Sequence, residues 1–309
     1  MAKVTVVGAG FFGKMVAQRI LQKDLADVVL TDIVEGLPQG LALDMMQSAP
    51  IEGFSSSIVG TNEYGPTEGS DVVVVTAGLP RKPGMSRADL IGKNSQIIES
   101  VVGQVAPNSP DAVLIVVTNP LDEMTHVAAA VSGLPKERVI GQAGMLDSAR
   151  FRYFVAEAVG CLPHEVEGAT LGSHGEIMVA LPRLARAKGR PITELLSADE
   201  ISAICERTRD GGAEIVGLLK TGSAYFAPSS GTVAMVQAVL QDTKETMPVC
   251  AWVTGQYGLS DIFLGVPAKL GAGGVVDIEE WDLLPDELEQ LHAAAAIVRE
   301  RVETLGVDL

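Results

Sequence analysis

The chain has 309 residues, 47% of them hydrophobic and 4% aromatic, and its 39 acidic and 23 basic residues leave a formal net charge of -16. That length and apolar share support a substantial core and exclude a largely disordered chain. The acidic balance argues against nucleic-acid binding, which needs a basic face to displace counterions, and against docking on anionic membranes. The acid is uneven: residues 1–150 carry 11 basic and 16 acidic residues, and residues 151–309 carry 12 and 23. Cys161, Cys205 and Cys250 lie far apart with no C-x-x-C pair, which argues against a metal site or redox motif and for free thiols in a reducing compartment. The apolar run after Lys3 breaks at Gly8, too early for a signal peptide, and no apolar run approaches the roughly 18 residues of a membrane span. A cytoplasmic protein is expected.

In chain order, Val4–Val7, Val28–Thr31, Val72–Thr76, Ala112–Val117 and Val139–Gln142 read as strands. They are nearly continuous apolar runs, the pattern of strands covered on both faces. Helical spacing falls between them, near Phe12–Leu21, Pro38–Ser48, Ala88–Ala106 and Leu121–Ser132. This alternation predicts an α/β fold with a doubly wound parallel sheet. The second half changes character. It predicts helices at Ser148–Val159, Ala198–Thr208, Gly212–Lys220, Ser230–Leu240 and Pro285–Thr304, with short strands at Val166–Leu171, Met178–Leu181, Thr246–Thr254 and Ile262–Pro267. The change divides the chain into residues 1–145 and 146–309. No repeat or low-complexity linker separates them, so the halves are expected to pack together around a cleft.

Gly8-Ala9-Gly10-Phe11-Phe12-Gly13 matches G-x-G-x-x-G directly after the first strand and opens a helix. Gly8 permits the tight turn, Gly10 lets a pyrophosphate approach the backbone, and Gly13 allows close packing of helix on strand. The free N–H groups of the helix start then face the phosphates. Asp32, 19 residues after Gly13, stands at the end of the second strand, where a carboxylate accepts both hydroxyls of an adenosine ribose. It repels a 2'-phosphate, and Ile33 supplies no positive charge, so NAD is expected rather than NADP.

Two basic regions stand out in an acidic chain. Arg81-Lys82-Pro83-Gly84-Met85-Ser86-Arg87 follows a strand at the carboxyl edge of the sheet, where such folds bind ligands, although alone it reads as a solvated loop. Asp147-Ser148-Ala149-Arg150 opens a helix, and Asp147 alone reads as an N-cap. His174 lies between glycines in Gly172-Ser173-His174-Gly175-Glu176, which leaves its imidazole unobstructed. His126, His164 and His292 read as structural or surface residues.

Together these segments resemble the lactate/malate dehydrogenase family, and within it the malate dehydrogenases of lactate-dehydrogenase-like type. The resemblance also takes in Thr118-Asn119-Pro120-Leu121-Asp122 and Thr221-Gly222-Ser223-Ala224-Tyr225, and the 27-residue separation of Asp147 and His174 is that of the family's catalytic pair. It implies a Rossmann-type doubly wound parallel sheet with a C-terminal mixed α+β substrate domain. The implied reaction is hydride transfer between NAD and a 2-hydroxy acid, with His174 as acid–base group and Asp147 as its support. Arg150, Arg87 and Asn119 are implied in substrate binding. Gly8, Ala9, Gly10, Phe11, Phe12, Gly13, Asp32, Asn94, Val117 and Asn119 are implied in cofactor binding.

Arg81 stands where the lactate members carry glutamine. A second arginine at that point suits a small dicarboxylate, malate or oxaloacetate, over lactate or pyruvate. A lactate or broader 2-hydroxyacid dehydrogenase, and a non-catalytic NAD-binding protein on the same fold, are the alternatives. The resemblance also implies a homodimer or homotetramer. The chain departs from the family's usual Gly-Gly-His-Gly-Asp in having Ser173 and Glu176 around the histidine, and Phe11 and Phe12 are large for their place in the glycine loop.

Overall fold

A computed structural model of the chain describes residues 1–80, 87–175 and 177–307. The first half runs β1 (Lys3–Val7), α1 (Phe11–Gln22), β2 (Asp27–Thr31), α2 (Leu37–Glu52), β3 (Ile58–Thr61), β4 (Val72–Val75), α3 (Arg87–Val105), β5 (Val113–Val116), α4 (Leu121–Ser132), β6 (Val139–Gly141) and α5 (Gly144–Val159). The strands lie in the order β3-β2-β1-β4-β5-β6, all parallel. Every residue of β4 and β5 is buried. Helices cover both faces, which is why these strands are apolar throughout rather than alternating. The order reverses between β1 and β4, and a crevice opens there beyond the carboxyl ends of the strands.

The second half contributes β7 (Val166–Glu167), β8 (Thr170–Gly172), β9 (Met178–Ala180), β10 (Arg186–Ala187), β11 (Arg190–Pro191), α6 (Ala198–Leu219), α7 (Phe226–Leu240), β12 (Glu245–Thr254), β13 (Ser260–Gly271), β14 (Gly274–Ile278) and α8 (Pro285–Glu303). The parallel sheet does not stop at β6. It continues antiparallel through β12, β13, β8 and β9, with Cys250 opposite Gly141 and Gly265 opposite Gly172 at the joins. One 11-stranded sheet therefore spans both halves. Among the described residues no helix is long and apolar enough to cross a membrane.

Several elements differ from the sequence expectation, each for a local reason. The expected strand Val166–Leu171 is two strands in different sheets, with strand pairing interrupted at Gly168 and Ala169. A Cβ on Gly168 would stand 2.9 Å from the Phe151 ring and 3.2 Å from Ala185 Cβ. The two helices expected on either side of Arg209-Asp210-Gly211 are one helix, α6. Helix α7 begins at Phe226 rather than Ser230, since Pro228 falls in its first turn, where the missing N–H costs nothing. Strands β3, β10, β11 and β14 lie outside the sequence expectation. His126 is structural, as anticipated. Its Nδ1 donates to the Asp122 carbonyl at 2.9 Å, and its Nε2 accepts from Phe263 N–H at 3.2 Å, which joins α4 to β13. Burial pushes its pKa below the ordinary histidine value.

Candidate active site

The glycine loop joins β1 to α1 across the crevice. Gly8 takes φ of 102°, a left-handed conformation that favours glycine, and its N–H donates to Thr31 O at 2.8 Å. A Cβ on Gly13 would fall 1.7 Å from Gly8 O, so glycine is what lets α1 begin so close to the strand. A Cβ on Gly10 would meet no atom within 4 Å, leaving open space over the loop. Gly10 caps α1 with no side-chain bond, so the helix start keeps free N–H groups toward that space. Asp32 follows β2; its Oδ2 accepts from Ala9 N–H at 2.7 Å and its Oδ1 from Val34 N–H at 2.9 Å. Each oxygen retains a lone pair for a hydroxyl donor. Open backbone, uncapped helix start and strand-end carboxylate together fit the pyrophosphate and ribose of NAD.

The two phenylalanines of the loop diverge. Phe11 is exposed and stacks on Tyr225, with ring centroids 5.5 Å apart and an interplanar angle of 25°. Phe12 instead lines a cavity of about 240 Å³, together with Val117, Asn119, Arg150 and His174. These five side chains come from four separate segments of the sequence.

Asp147 lies inside the first turn of α5, its own N–H donating to Ala143 O, so it is not the helix cap. It is 2% exposed, and its two oxygens serve different partners. Oδ2 accepts from His174 Nδ1 at 2.7 Å, and Oδ1 accepts from Arg150 Nη1 at 3.2 Å. Positions i and i+3 of one helix put Asp147 and Arg150 on the same face. The contact to a carboxylate keeps the proton on Nδ1 and leaves Nε2 of His174 available to the cavity. Burial disfavours the imidazolium, but the Asp147 carboxylate outweighs it, and His174 is held above the ordinary histidine pKa. Arg150 opposes that rise and Asp122 adds to it. Burial also pulls Arg150 below its ordinary value against the support of Asp147. The Arg150 Nε is buried with no hydrogen-bond partner among the described residues, so the guanidinium has unused donor capacity.

Asn94 is 1% exposed and its amide is spent on backbone. Its Nδ2 donates to Leu79 O at 3.1 Å and Asn119 O at 2.6 Å, and its Oδ1 accepts from Leu79 N–H at 2.8 Å. It therefore clasps the segments that follow β4 and β5. Arg81 and Glu176 lie outside the described residues, as does the side chain of Arg87. Sequence reasoning missed Gly211, where a Cβ would stand 3.0 Å from Arg150 Cδ, and Gly212, which lines the cavity. The adjacent glycines inside a helical pattern were the available signal. The sequence expectation breaks the helix at Arg209-Asp210-Gly211 and restarts it at Gly212, whereas the glycines let one continuous α6 pass against the Arg150 stem.

A larger groove of about 1000 Å³, between α5, α7 and the start of β12, contains none of the candidate residues.

A family model described as lactate/malate dehydrogenase, NAD binding domain, matches residues 2–141, and one described as lactate/malate dehydrogenase, alpha/beta C-terminal domain, matches residues 144–306. The malate dehydrogenase of Thermomicrobium roseum is 53% identical over 303 residues, covering 98% of each chain. Among solved structures, the malate dehydrogenase of Salinibacter ruber superposes with a TM-score of 0.95 at 46% identity, covering 98% of this chain and 97% of that one. The lactate dehydrogenase of Cryptosporidium parvum, complexed with lactic acid and nicotinamide adenine dinucleotide, superposes with a TM-score of 0.96 at 39% identity, covering 100% and 99%. Matches over nearly the whole chain at these identities establish that the chain belongs to the lactate/malate dehydrogenase family of NAD-dependent oxidoreductases.

Proposed function

We propose that the chain catalyses the reversible, NAD-dependent oxidation of (S)-malate to oxaloacetate. The observation that carries this is the Asp147 carboxylate shared between His174 and Arg150 on one wall of a cavity that reaches the glycine loop. Such a group couples proton transfer to the gripping of an anion. NAD bound there would supply the acceptor for the hydride of the carbinol carbon, and NADH the donor in the reverse direction.

His174 Nε2 accepts the hydroxyl proton as the C–H electron pair leaves, so the C–O bond becomes a carbonyl. In reduction the imidazolium returns that proton to the carbonyl oxygen. A histidine serves both directions because its pKa lies near neutrality. Asp147 keeps Nδ1 protonated and stabilises the imidazolium. Arg150 takes the carboxylate beside the reacting carbon, using its two-point geometry and its unpaired Nε. Asn119 bonds the substrate oxygen, and Arg87 polarises it. The N–H groups of residues 10–12 would hold the pyrophosphate and the Asp32 carboxylate the adenosine ribose. Phe12 and Val117 line the nicotinamide end. Residues 1–145 accordingly serve the cofactor and lend Arg81, Arg87 and Asn119 to the substrate, and residues 146–309 serve the acid–base chemistry and the inner carboxylate.

Arg81 is assigned the distal carboxylate. Pyruvate would leave it desolvated without a partner, which favours oxaloacetate by on the order of 10³-fold. Loss of NADH absorbance with oxaloacetate against pyruvate tests the assignment. A preference for pyruvate overturns the substrate, and absence of turnover with either overturns the enzyme. Arg81→Gln should move activity toward pyruvate.

A cytoplasmic homodimer or homotetramer is part of the same proposal. Helix α2 buries only Pro38 and Ala42, and it leaves Leu43 62% and Ile51 87% exposed, an apolar surface suited to a second copy. Light scattering reads the mass, and a monomer would remove this part.

A further inference from the structure

One side chain of the histidine loop has no part in the chemistry proposed. Ser173 is 1% exposed, and its hydroxyl donates to Asp122 Oδ2 at 2.6 Å. The His174 backbone N–H donates to the same oxygen at 3.1 Å. Asp122 is itself 2% exposed, lies in the first turn of α4, and stands three residues after Asn119 in sequence. A single buried carboxylate thus fastens the histidine loop twice to the segment that carries Asn119.

The loop has need of such a fastening. Gly172 and Gly175 bracket Ser173 and His174 with φ of 77° and 96°, and glycines on both sides give the dipeptide wide backbone freedom. Nδ1 of His174 to Asp147 is one restraint on the ring, and it acts from the opposite side, through α5. The Ser173 bond acts from α4 and is in the short range of hydrogen bonds to carboxylates. It is also a departure from the family's usual pattern, which places glycine there, and glycine has no hydroxyl to donate.

We propose that Ser173 is a positioning residue, whose hydroxyl, through Asp122, holds the histidine loop at a fixed distance from Asn119 so that both meet one substrate oxygen. This rests on His174 being the acid–base group of the proposed reaction. It assigns a use to the departure from the family pattern: the serine replaces a permissive position by a tethered one.

The test compares Ser173→Ala and Ser173→Thr with the parent in the full chain. Misplacement of a reacting group by about an ångström costs up to about 10²-fold, so Ser173→Ala should lose 10- to 100-fold in kcat for oxaloacetate reduction. NADH affinity, read by fluorescence, and KM should change by less than about threefold. Ser173→Thr, which restores the hydroxyl, should recover most of the loss. A second readout needs no turnover. The chain has four histidines, so selective ¹⁵N labelling resolves the His174 Nδ1–H signal by NMR. That signal should be sharp in the parent and in Ser173→Thr, and broadened by exchange in Ser173→Ala. A Ser173→Ala protein that keeps kcat within twofold and the sharp signal overturns the proposal, whatever its Tm. A parent protein inactive on oxaloacetate defeats the proposed activity instead, and the NMR comparison still decides the role of Ser173.

Discussion

Replacing Asp147 by asparagine perturbs the group on which two others depend. The amide keeps the shape of the carboxylate and can still accept the Nδ1–H of His174, 2.7 Å away, but carries no charge. A hydrogen bond to a charged group contributes about 1.5–3 kcal/mol against about 0.5–1.5 kcal/mol for a neutral one, so losing the charge should lower kcat for oxaloacetate reduction roughly 5- to 10-fold. Arg150, with only 11% of its side chain exposed, would also lose its 3.2 Å ion pair. That second loss should appear in KM for the keto acid.

The pH dependence gives the sign. Reduction needs the imidazolium, so its rate is present at low pH and lost as pH rises through the His174 pKa. Burial and the Arg150 charge both press that pKa down; Asp147 and, less strongly, Asp122 press it up, and the net shift is upward. Without the Asp147 charge the balance turns downward. The decline of kcat/KM for reduction should therefore move to lower pH. Malate oxidation needs neutral imidazole, and its acid limb should move the same way. Steady-state NADH absorbance in both directions reads both limbs. An Asp147→Asn enzyme within threefold of the parent, with unmoved limbs, would refute the charge argument.

Three further outcomes are expected. Gly265→Ala places a Cβ 2.2 Å from Gly172 O, so it should displace the histidine loop, lowering kcat by up to about 10²-fold and also lowering Tm; an unchanged kcat refutes the coupling. Asp32→Ala should weaken NADH binding by about 10- to 100-fold, since hydrogen bonds to charged groups contribute about 1.5–3 kcal/mol, and should narrow the preference over NADPH; fluorescence titration with each nucleotide decides it. The buried His126 resists protonation in the fold, so the unfolded chain binds its proton first and stability should fall as pH drops below about 6.5. Calorimetry should find His126→Gln less stable at neutral pH but with a shallower acid loss, whereas the raised His174 gives up its contribution at the other end, as pH rises.

The parallel strands were legible because burial on both faces writes itself as a continuous apolar run, as in Val72–Val75. The edge strand β3 was not. Val59 is 52% exposed, and Gly60 is needed because a Cβ there would fall 2.1 Å from Pro38 O, so neither fits a buried-strand pattern. The unity of α6 was hidden by Gly211 and Gly212, which local propensity reads as a break and packing against Arg150 requires. His174, Asp147 and Arg150 were found together because their spacing is a motif. Ser173 was visible only as a departure, since its partner Asp122 lies 51 positions away and nothing local in the sequence pairs them. The resemblance places Asn94 along the cofactor; that its amide also closes on Leu79 and Asn119 is a commitment only the fold displays.

The join between β6 and β12 rests on Cys250 opposite Gly141, where a Cβ on the glycine would stand 2.8 Å from Cys250 Cβ and 2.6 Å from Thr125 Oγ1. So close a seam makes the halves thermodynamically inseparable: neither can melt while the other stays folded without stripping the exposed edge of a shared sheet. Heating should therefore yield one calorimetric transition whose van't Hoff and calorimetric enthalpies agree per cooperative unit. Widening the seam with Gly141→Ala should divide that transition into two, turning a continuous sheet into two separately melting bodies.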